Sequence, residues 1–335
     1  MFDIENETFH YSSLEGDDMG ARNTDWRARV GLCFAGVIAA LSLGQAPSIA
    51  REEGRSSAAP VTIRETANLA DAFEAARAAS PQGRVLLILD IDNTLLTMPQ
   101  YLGGDRWFNR HAAMIADKAD PDFAGMGELI AAQTMLFGIA SMQATEPNIP
   151  AMLAETTQQR IDVFLLSARG PELYDATRRE LDRNGLQVEA PYACSFFLCT
   201  QDGLYRDDEI RLALTALGEE ASRSPYRDIL IRDGVMLVSG QDKGVMLKLL
   251  MGAIGGRQYA HIVVADDGQK NIAALAASGN PVPTTLFHYR RIDPSVTDSE
   301  NQTARAQFAA LTAALCSAMQ STLCAKPAAS NGTRK

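Results

Sequence analysis

The sequence predicts an α/β protein built on a doubly wound, mostly parallel sheet. Short apolar runs typical of buried strands alternate along the chain with segments whose apolar residues recur at helical spacing. Such alternation favours a parallel sheet that helices cover on both faces. Several apolar runs also stop abruptly in polar residues, and ligands bind beyond the carboxyl ends of the strands in sheets of this kind. The chain of 335 residues, 46% of them hydrophobic, is long enough to bury the core that this Rossmann-like sheet needs.

The first fifty residues predict an export signal outside the folded domain. Residues 1–18 hold six acidic side chains and no Lys or Arg, so we expect them to be absent from the translated or mature protein. Residues 19–50 have the pattern of a signal peptide: arginines, an apolar run over 30–43, and small residues before a cleavage point after Ala50. An uncleaved anchor is the alternative, but the run is shorter than the ~20 residues that span a bilayer. We therefore expect secretion across the inner membrane to the periplasm, without stable membrane insertion after cleavage.

The remaining chain divides into a core, an insertion and a tail. Residues 51–64 are polar and predict a linker, a helix is expected over 65–79, and the first buried strand follows the break at 80–83. Residues 98–148 hold no strand signal but show helical periodicity, as over 125–140, and predict a small, mostly helical cap insertion. The core is expected over 51–97 and 149–325, and residues 326–335 predict a flexible tail. The later core elements are expected to be helices at 150–158, 171–185, from 244, 269–278 and 303–324, strands at 161–166, 261–265 and 284–287, and a β-hairpin region with Asp-Gly turns at 200–204 and 229–238.

Charge and cysteine content narrow the setting in which the protein works. The net charge is −10 and no Lys/Arg-rich run occurs, which argues against a nucleic-acid partner and leaves a small phosphorylated substrate compatible. Four cysteines would remain after export, and in an oxidising periplasm we expect one or two disulfides among them. Their spacing leaves all three pairings open. These cysteines are Cys194, Cys199, Cys316 and Cys324.

Two aspartates end the first buried strand. Asp90 and Asp92 follow five consecutive aliphatic residues and are two positions apart, so their side chains face the same side of the sheet. Burying paired negative charge costs several kcal/mol unless a cation or a proton offsets it. An isolated pair of this kind is often only an acidic turn. Thr94 completes a D-x-D-x-T pattern, however, and we infer phosphoryl-transfer chemistry with a magnesium ion.

Three further polar segments follow later apolar runs and carry side chains that such a reaction could use. Ser167 comes after the second strand and precedes a helix, where a hydroxyl and backbone N–H groups can hold phosphate oxygens; an N-cap is its alternative. Lys243 opens another helix and could neutralise Asp90, although many lysines are simply solvated. Asp266 and Asp267 end a fourth run, and acidic oxygens from two strands suit Mg²⁺ better than zinc.

The order of these four segments resembles the signature of the haloacid dehalogenase-like (HAD) hydrolases. Together with the segment Gly103-Gly-Asp-Arg-Trp-Phe108, they resemble the bacterial DUF2608 family over roughly residues 61–290. The resemblance implies that Asp90 is the nucleophile, that Asp92 is the general acid and base, and that Mg²⁺ is held by Asp90, the backbone carbonyl of Asp92 and one carboxylate of the second pair. We favour Asp267 as the direct ligand and Asp266 as a supporting residue, and the reverse remains open. The full predicted set is Asp90, Asp92, Ser167 and Lys243 for catalysis, Thr94, Trp107, Ser167, Ala168 and Arg169 for the substrate, Asp90, Asp92, Asp266 and Asp267 for the metal, and Asn271 in support.

These residues predict an exported, Mg²⁺-dependent phosphomonoesterase that works through an aspartyl phosphate. A phosphotransferase or phosphomutase of the same superfamily is one alternative, because the acceptor could differ from water. A catalytically silent binding protein that retains the fold is another. Trp107 could close over a substrate, and packing of the insertion onto the core is the alternative for its ring.

Overall fold

Eight of the ten described strands form one sheet with the order β1-β10-β9-β2-β5-β8-β7-β6, and β3 and β4 form a separate pair. The computed structural model describes residues 59–188, 203–219, 225–254 and 259–319. The strands are β1 (Val61–Thr66), β2 (Arg84–Leu89), β3 (Leu96–Thr97), β4 (Gln143–Ala144), β5 (Ile161–Ser167), β6 (Gly203–Tyr205), β7 (Ile229–Arg232), β8 (Val235–Leu237), β9 (Tyr259–Asp266) and β10 (Thr284–Tyr289). The helices are α1 (Ala70–Ala79), α2 (Asp105–Ala116), α3 (Met126–Ile139), α4 (Ile149–Thr156), α5 (Tyr174–Arg183), α6 (Asp207–Ala216), α7 (Lys243–Ala253), α8 (Gln269–Ala276) and α9 (Asp298–Met319).

The sheet is parallel from β1 through β8 in this order, and β7 and β6 extend it antiparallel. Strand β2 lies between β5 and β9, because Ile88 is in register with Phe164 on one side and with Val264 on the other. The carboxyl ends of these three parallel strands therefore lie side by side. The predicted α/β class with a mostly parallel sheet is confirmed.

Side chains that alternate along β2 divide the core into two layers. Val85, Leu87 and Leu89 belong to a cluster with residues of α1, α4 and α5. Leu86 and Ile88 belong to another cluster, with residues of α6, α7 and α8. All five side chains are fully buried. Helices thus cover both faces of the sheet, which explains why the sequence of β2 is aliphatic without interruption.

The insertion leaves and rejoins the core on the antiparallel pair of β3 and β4. Its helices α2 and α3 share a hydrophobic cluster with the C-terminal helix α9. The Phe308 ring of α9 lies 6.0 Å from that of Trp107 and 5.6 Å from that of Phe123, between ring centroids. Arg305 of the same helix pairs with Asp122 at 2.8 Å. The C-terminal helix, which we expected in the core, therefore packs on the cap insertion.

Two segments of the core differ from the prediction. Residues 61–66, expected as a linker and the start of a helix, form the edge strand β1 beside β10. The side chains of β1 are mostly exposed, so it lacks the apolar pattern of a buried strand. Residues 203–205 pair antiparallel with the distant strand β7, a partner that the sequence did not predict, and the rest of the hairpin expected there lies outside the described residues. The second hairpin is confirmed, because Asp233 and Gly234 connect β7 to β8 with positive φ angles of 47° and 75°.

Several predictions concern residues outside the described part of the chain. These are residues 1–18, the signal peptide at 19–50, the tail at 326–335, and three of the four cysteines, Cys194, Cys199 and Cys324. Cys316 lies in α9 and is disulfide-bonded. Among the described residues, no helix combines the length and the apolar character needed to cross a bilayer.

Candidate active site

The predicted polar segments meet at the carboxyl edge of the parallel strands. Asp90 follows β2, and its backbone N–H donates to the carbonyl of Ala265 in β9 at 3.0 Å. On the other side of β2, Ser167 ends β5, and its carbonyl accepts from the N–H of Val238 beyond β8 at 2.9 Å. Sheet hydrogen bonds therefore fix the loops after four neighbouring strands relative to one another, and the predicted segments come from these loops.

Lys243 joins two of the predicted carboxylates. Its Nζ lies 2.8 Å from Asp90 Oδ1 and 2.6 Å from Asp266 Oδ2, and the lysine side chain is 1% exposed. The lysine is the first residue of α7, and Asp242 caps this helix by accepting from the N–H groups of Gly244 and Val245 at 2.9 and 3.2 Å. The ammonium is therefore placed by a helix start, as the sequence predicted.

Helix α7 can approach α8 closely because its second residue is glycine. A Cβ on Gly244 would overlap the carbonyl group of Ala274 in α8. This contact brings the start of α7, with Lys243, against the segment that carries the second acidic pair. The glycine thus has a packing role that helps to position the site.

Three carboxylates form a group that could hold a metal ion. Oxygens of Asp90, Asp266 and Asp267 all lie within 4.8 Å of one another. Asp266 is tied to the protein, because Oδ1 accepts from Gly268 N at 2.8 Å and from Asn271 Nδ2 at 2.9 Å, while Oδ2 contacts the lysine. The Asp267 carboxylate has no hydrogen bond or ion pair with any described residue. This difference favours Asp267 as the direct ligand, with Asp266 and Asn271 in support.

The backbone around Asp267 is held from the neighbouring strand. His288 in β10 places its Nε2 3.0 Å from the carbonyl oxygen of Asp267. Because a carbonyl only accepts, the histidine must carry a proton on Nε2 and donate it. The carboxylate of Asp267 is thus positioned by its backbone while its oxygens remain available.

The site holds more negative than positive charge. Burial raises the pKa of Asp90 to about 8, because Asp266 and Asp92 add to the desolvation and Lys243 only partly offsets it. Burial together with the charges of Asp90 and Asp105 raises the pKa of Asp267 to about 9. A divalent cation would relieve this repulsion, and oxygen ligands of this kind suit Mg²⁺. The donor set therefore fits the predicted metal.

Lys243 remains charged in this environment. Burial alone would lower the pKa of its ammonium, but the adjacent carboxylates of Asp266 and Asp90 raise that pKa above its usual range. The lysine therefore supplies one fixed positive charge beside Asp90 and Asp266.

Asp92 is held by Arg169 in a two-point contact. The guanidinium donates from Nε to Asp92 Oδ2 at 2.8 Å and from Nη2 to Oδ1 at 2.9 Å. Its Nη1 donates to Thr177 Oγ1 at 2.7 Å, and its Cζ lies 4.5 Å from the Phe137 ring centroid. Arg169 was predicted to bind the substrate, but here its donors serve Asp92 and the protein. It acts in this structure as a positioning residue for Asp92.

The other predicted substrate residues occupy different environments. Ser167 is fully buried, and its Oγ accepts from the Arg169 N–H at 3.2 Å, whereas the neighbouring Ala168 is exposed. Thr94 is also fully buried; its carbonyl accepts from Thr145 Oγ1 at 2.5 Å, and its own hydroxyl has no partner among the described residues. Ser167 and Ala168 therefore lie at the strand end where phosphate was expected, and Thr94 is enclosed by the protein.

Trp107 does not reach this edge of the sheet. It is 1% exposed, and its ring packs 5.7 Å from that of Phe123 within the cap cluster. The structure thus gives it the packing role that was the alternative to contact with a substrate. Neighbouring aromatic side chains cover its ring, among them His111, whose ring centroid lies 4.9 Å from that of Trp107.

Asp105 is a site residue that the sequence analysis missed. It is the half-buried first residue of α2, and Asn109 Nδ2 donates to its Oδ2 at 3.2 Å. Burial and the charge of Asp92 raise its pKa to about 7, and it also interacts electrostatically with Lys243 and Arg169. The insertion therefore adds a further carboxylate to the candidate site. The sequence offered one signal for this residue: it follows two glycines in the segment 103–108 that contributes to the family resemblance.

A second acidic group in the insertion is less suited to a metal. His111, Asp120 and Asp122 also bring possible ligand atoms within 4.8 Å of one another. However, Asp120 contacts His111 Nδ1 at 2.7 Å and accepts from two backbone N–H groups, and Asp122 pairs with Arg305. The protein itself therefore satisfies these carboxylates.

Comparisons with known proteins agree with the family resemblance. A family model described as "Protein of unknown function (DUF2608)" matches residues 65–320. No curated protein sequence matches the chain. Two similar solved structures are class C acid phosphatases from Bacillus anthracis. The first is 21% identical, covers 44% of this chain and 53% of its own, so that about half of its length is spanned, and has a TM-score of 0.21. The second, with tungstate bound, is 16% identical. Its match covers 71% of this chain and 84% of its own, with a TM-score of 0.24.

The family model spans about three quarters of the sequence and includes every predicted catalytic and metal-binding position. The chain therefore belongs to the DUF2608 family, and its predicted resemblance to that family is confirmed.

Proposed function

We propose that this protein is a Mg²⁺-dependent phosphomonoesterase that acts on a small phosphorylated substrate through an aspartyl phosphate. One observation carries the proposal: Asp90 lies at the end of the central strand, beside one fixed ammonium and two further carboxylates whose oxygens lie within 4.8 Å. A buried nucleophile, a compensating cation and a set of hard oxygen ligands are the components that phosphoryl transfer requires.

Asp90 is suited to attack because its two oxygens differ. Lys243 holds Oδ1 at 2.8 Å, while Oδ2 has no hydrogen-bond partner among the described residues. Attack by Oδ2 forms a bond to phosphorus and breaks the ester P–O bond, and Asp92 gives a proton to the departing oxygen. A water then attacks phosphorus, Asp92 takes its proton, and Asp90 is released. When bound, Mg²⁺ would supply positive charge that offsets the carboxylates and polarises the phosphoryl group.

Arg169 positions the residue that transfers protons in this reaction. Its two-point contact fixes the orientation of the Asp92 carboxylate, since two charge-assisted hydrogen bonds hold both of its oxygens. Arg169 thus limits the rotation of Asp92.

We also propose that the protein is exported to the periplasm, as the arginines and the apolar run within residues 19–50 suggest. Phosphomonoester hydrolysis needs no energy source from the cytoplasm, so the chemistry is compatible with that location. N-terminal sequencing of the protein recovered from a periplasmic extract would test the proposal, and we expect the mature chain to begin just after Ala50.

Removal of the metal should abolish turnover. We expect steady release of inorganic phosphate from a panel of phosphomonoesters in Mg²⁺, a fall of about 100-fold or more in EDTA, and recovery when Mg²⁺ is restored, because unneutralised carboxylates repel the anionic substrate. Phosphate release and ester cleavage are measured together. Equal activity in EDTA would contradict the proposal, ester cleavage without phosphate release would indicate transfer to another acceptor, and Mg²⁺-dependent binding without cleavage would indicate a silent binding protein.

A further inference from the structure

A cavity beside the catalytic group has the opposite charge character. It has a volume of about 440 Å³ and lies between the start of α7, the start of α8 and the residues before β7. This volume falls within the range of small-molecule sites. Besides Lys243, which already contacts Asp90 and Asp266, two basic side chains line it, Arg227 and Lys270. The residues that line it are Pro225, Tyr226, Arg227, Gly240, Gln241, Asp242, Lys243, Val245, Met246, Lys270, Asn271 and Ala274.

The cavity adjoins the catalytic group through three of its lining residues. Gly240 N donates to the carbonyl of Ala168, in the loop where phosphate is expected, at 2.7 Å. Lys243 contacts Asp90 and Asp266, and Asn271 donates to Asp266. A substrate whose phosphoryl group sits at Asp90 could therefore extend its leaving group into this cavity.

The two basic side chains are available to a ligand. The backbone of Arg227 is anchored, because Gln241 accepts from its N–H at 3.1 Å and donates to its carbonyl at 2.9 Å. Its guanidinium, like the ammonium of Lys270, forms no hydrogen bond or ion pair with any described residue. The acidic residue in the lining, Asp242, is engaged as the cap of α7. Unpaired cations of this kind contrast with Lys243, which is fully used by carboxylates.

From this arrangement we propose that the preferred substrate is a phosphomonoester whose leaving group carries a second anionic group, held in the cavity by Arg227 and Lys270. The inference rests on the proposed phosphatase function and adds the substrate class. An oxyanion can accept charge-assisted hydrogen bonds from both side chains. The N-terminal ends of α7 and α8 at the same cavity add favourable partial charge. Solvated surface cations are the competing explanation, and the following experiment separates the two.

The kinetic test compares esters of similar size whose leaving groups carry a phosphate, a carboxylate or a neutral hydroxyl. In the full-length Arg227→Gln/Lys270→Gln double variant, we expect KM for the two anionic classes to rise about ten- to hundredfold, as loss of hydrogen bonds to charged groups implies. We expect kcat to change little, and KM for neutral esters to stay within about twofold, since the catalytic residues are untouched. Lys118→Gln, which removes an exposed cation in the insertion, should leave every class unchanged.

A binding measurement keeps this proposal separable from the phosphatase proposal. Without Mg²⁺, the cluster of Asp90, Asp266 and Asp267 repels anions. Calorimetric titration of the metal-free protein with inorganic pyrophosphate therefore measures the affinity of the cavity for an anion. We expect the wild type to bind and the double variant to lose about tenfold or more in affinity. Equal affinity, an unchanged KM for anionic esters, or an equal rise for neutral esters would overturn the proposal. Absence of ester hydrolysis by the wild type would reject the phosphatase function, and the titration would still decide whether the cavity binds anions.

Discussion

Asp90→Asn should lower kcat for phosphomonoester hydrolysis by about 1,000-fold or more, because the amide cannot form the covalent intermediate. Asn has nearly the same shape as Asp, so the packing at the end of β2 should be retained. Acid-quenched wild-type protein should carry phosphate on the Asp90 peptide during turnover, and the variant should not. Steady-state kinetics and peptide mass spectrometry together check this result.

The same substitution should make the free energy of unfolding of the metal-free protein fall less as pH rises. Burial raises the pKa of Asp90 to about 8 in the folded protein, well above its pKa in the unfolded chain. Between these two values the unfolded chain loses the proton and the folded protein keeps it, so the free energy of unfolding of the wild type falls as pH rises toward 8. The variant lacks this group. Its free energy of unfolding, relative to wild type, should therefore increase as pH rises from about 4 to 8.

Asp117→Asn is the matched control for this prediction. Asp117 is an exposed carboxylate at the far end of α2 from Asp105, about 18 Å along the helix axis. Neither kcat nor the pH dependence of stability should change. Full activity of Asp90→Asn, beside an unchanged control, would exclude Asp90 as the nucleophile.

Lys243→Met should impair both catalysis and stability. The substitution keeps an unbranched side chain of similar length but leaves Asp90 and Asp266 buried together without their cation. We expect kcat to fall about 100- to 1,000-fold and the free energy of unfolding of the metal-free protein to fall by about 3–5 kcal/mol near pH 8. The stability loss should shrink toward pH 5, because Asp90 is then protonated and no longer needs the ammonium.

Lys248→Met provides the comparison on the same helix. Lys248 is partly exposed and pairs with Glu219 at 2.6 Å, where solvent screens the interaction. Its loss should cost no more than about 1 kcal/mol and leave kcat unchanged. Denaturant titrations at pH 5 and pH 8 measure both variants, and a cost for Lys243→Met as small as that of the control would show that the lysine does not compensate the carboxylates.

The central part of the fold was predictable because its signals are local. The aliphatic runs of β2, β5 and β9 end within a residue or two of Asp90, Ser167 and Asp266, and parallel strands bring such ends together by geometry alone. The start of α7 at Lys243 was likewise marked by Asp242 and Gly244. The strand β1 was missed because an exposed edge strand carries no apolar alternation.

The remaining site features depend on contacts between distant segments. Arg169 reaches Asp92 across 77 positions, and Asp105 reaches the site only because the insertion folds back over the strand ends. The ring of Trp107 is buried against α9, which begins nearly two hundred residues later. None of these contacts has a local pattern, so the sequence could suggest the residues but not their partners.

Crystals grown with Mn²⁺ in place of Mg²⁺ would test the shared-metal account most directly, because anomalous scattering locates that ion. We predict one Mn²⁺ peak within about 2.5 Å of carboxylate oxygens of Asp90 and Asp267, with Lys243 still contacting Asp266. An active protein whose Mn²⁺ lies elsewhere, for instance between His111 and Asp122, or which binds no Mn²⁺ at all, would contradict the proposed mechanism.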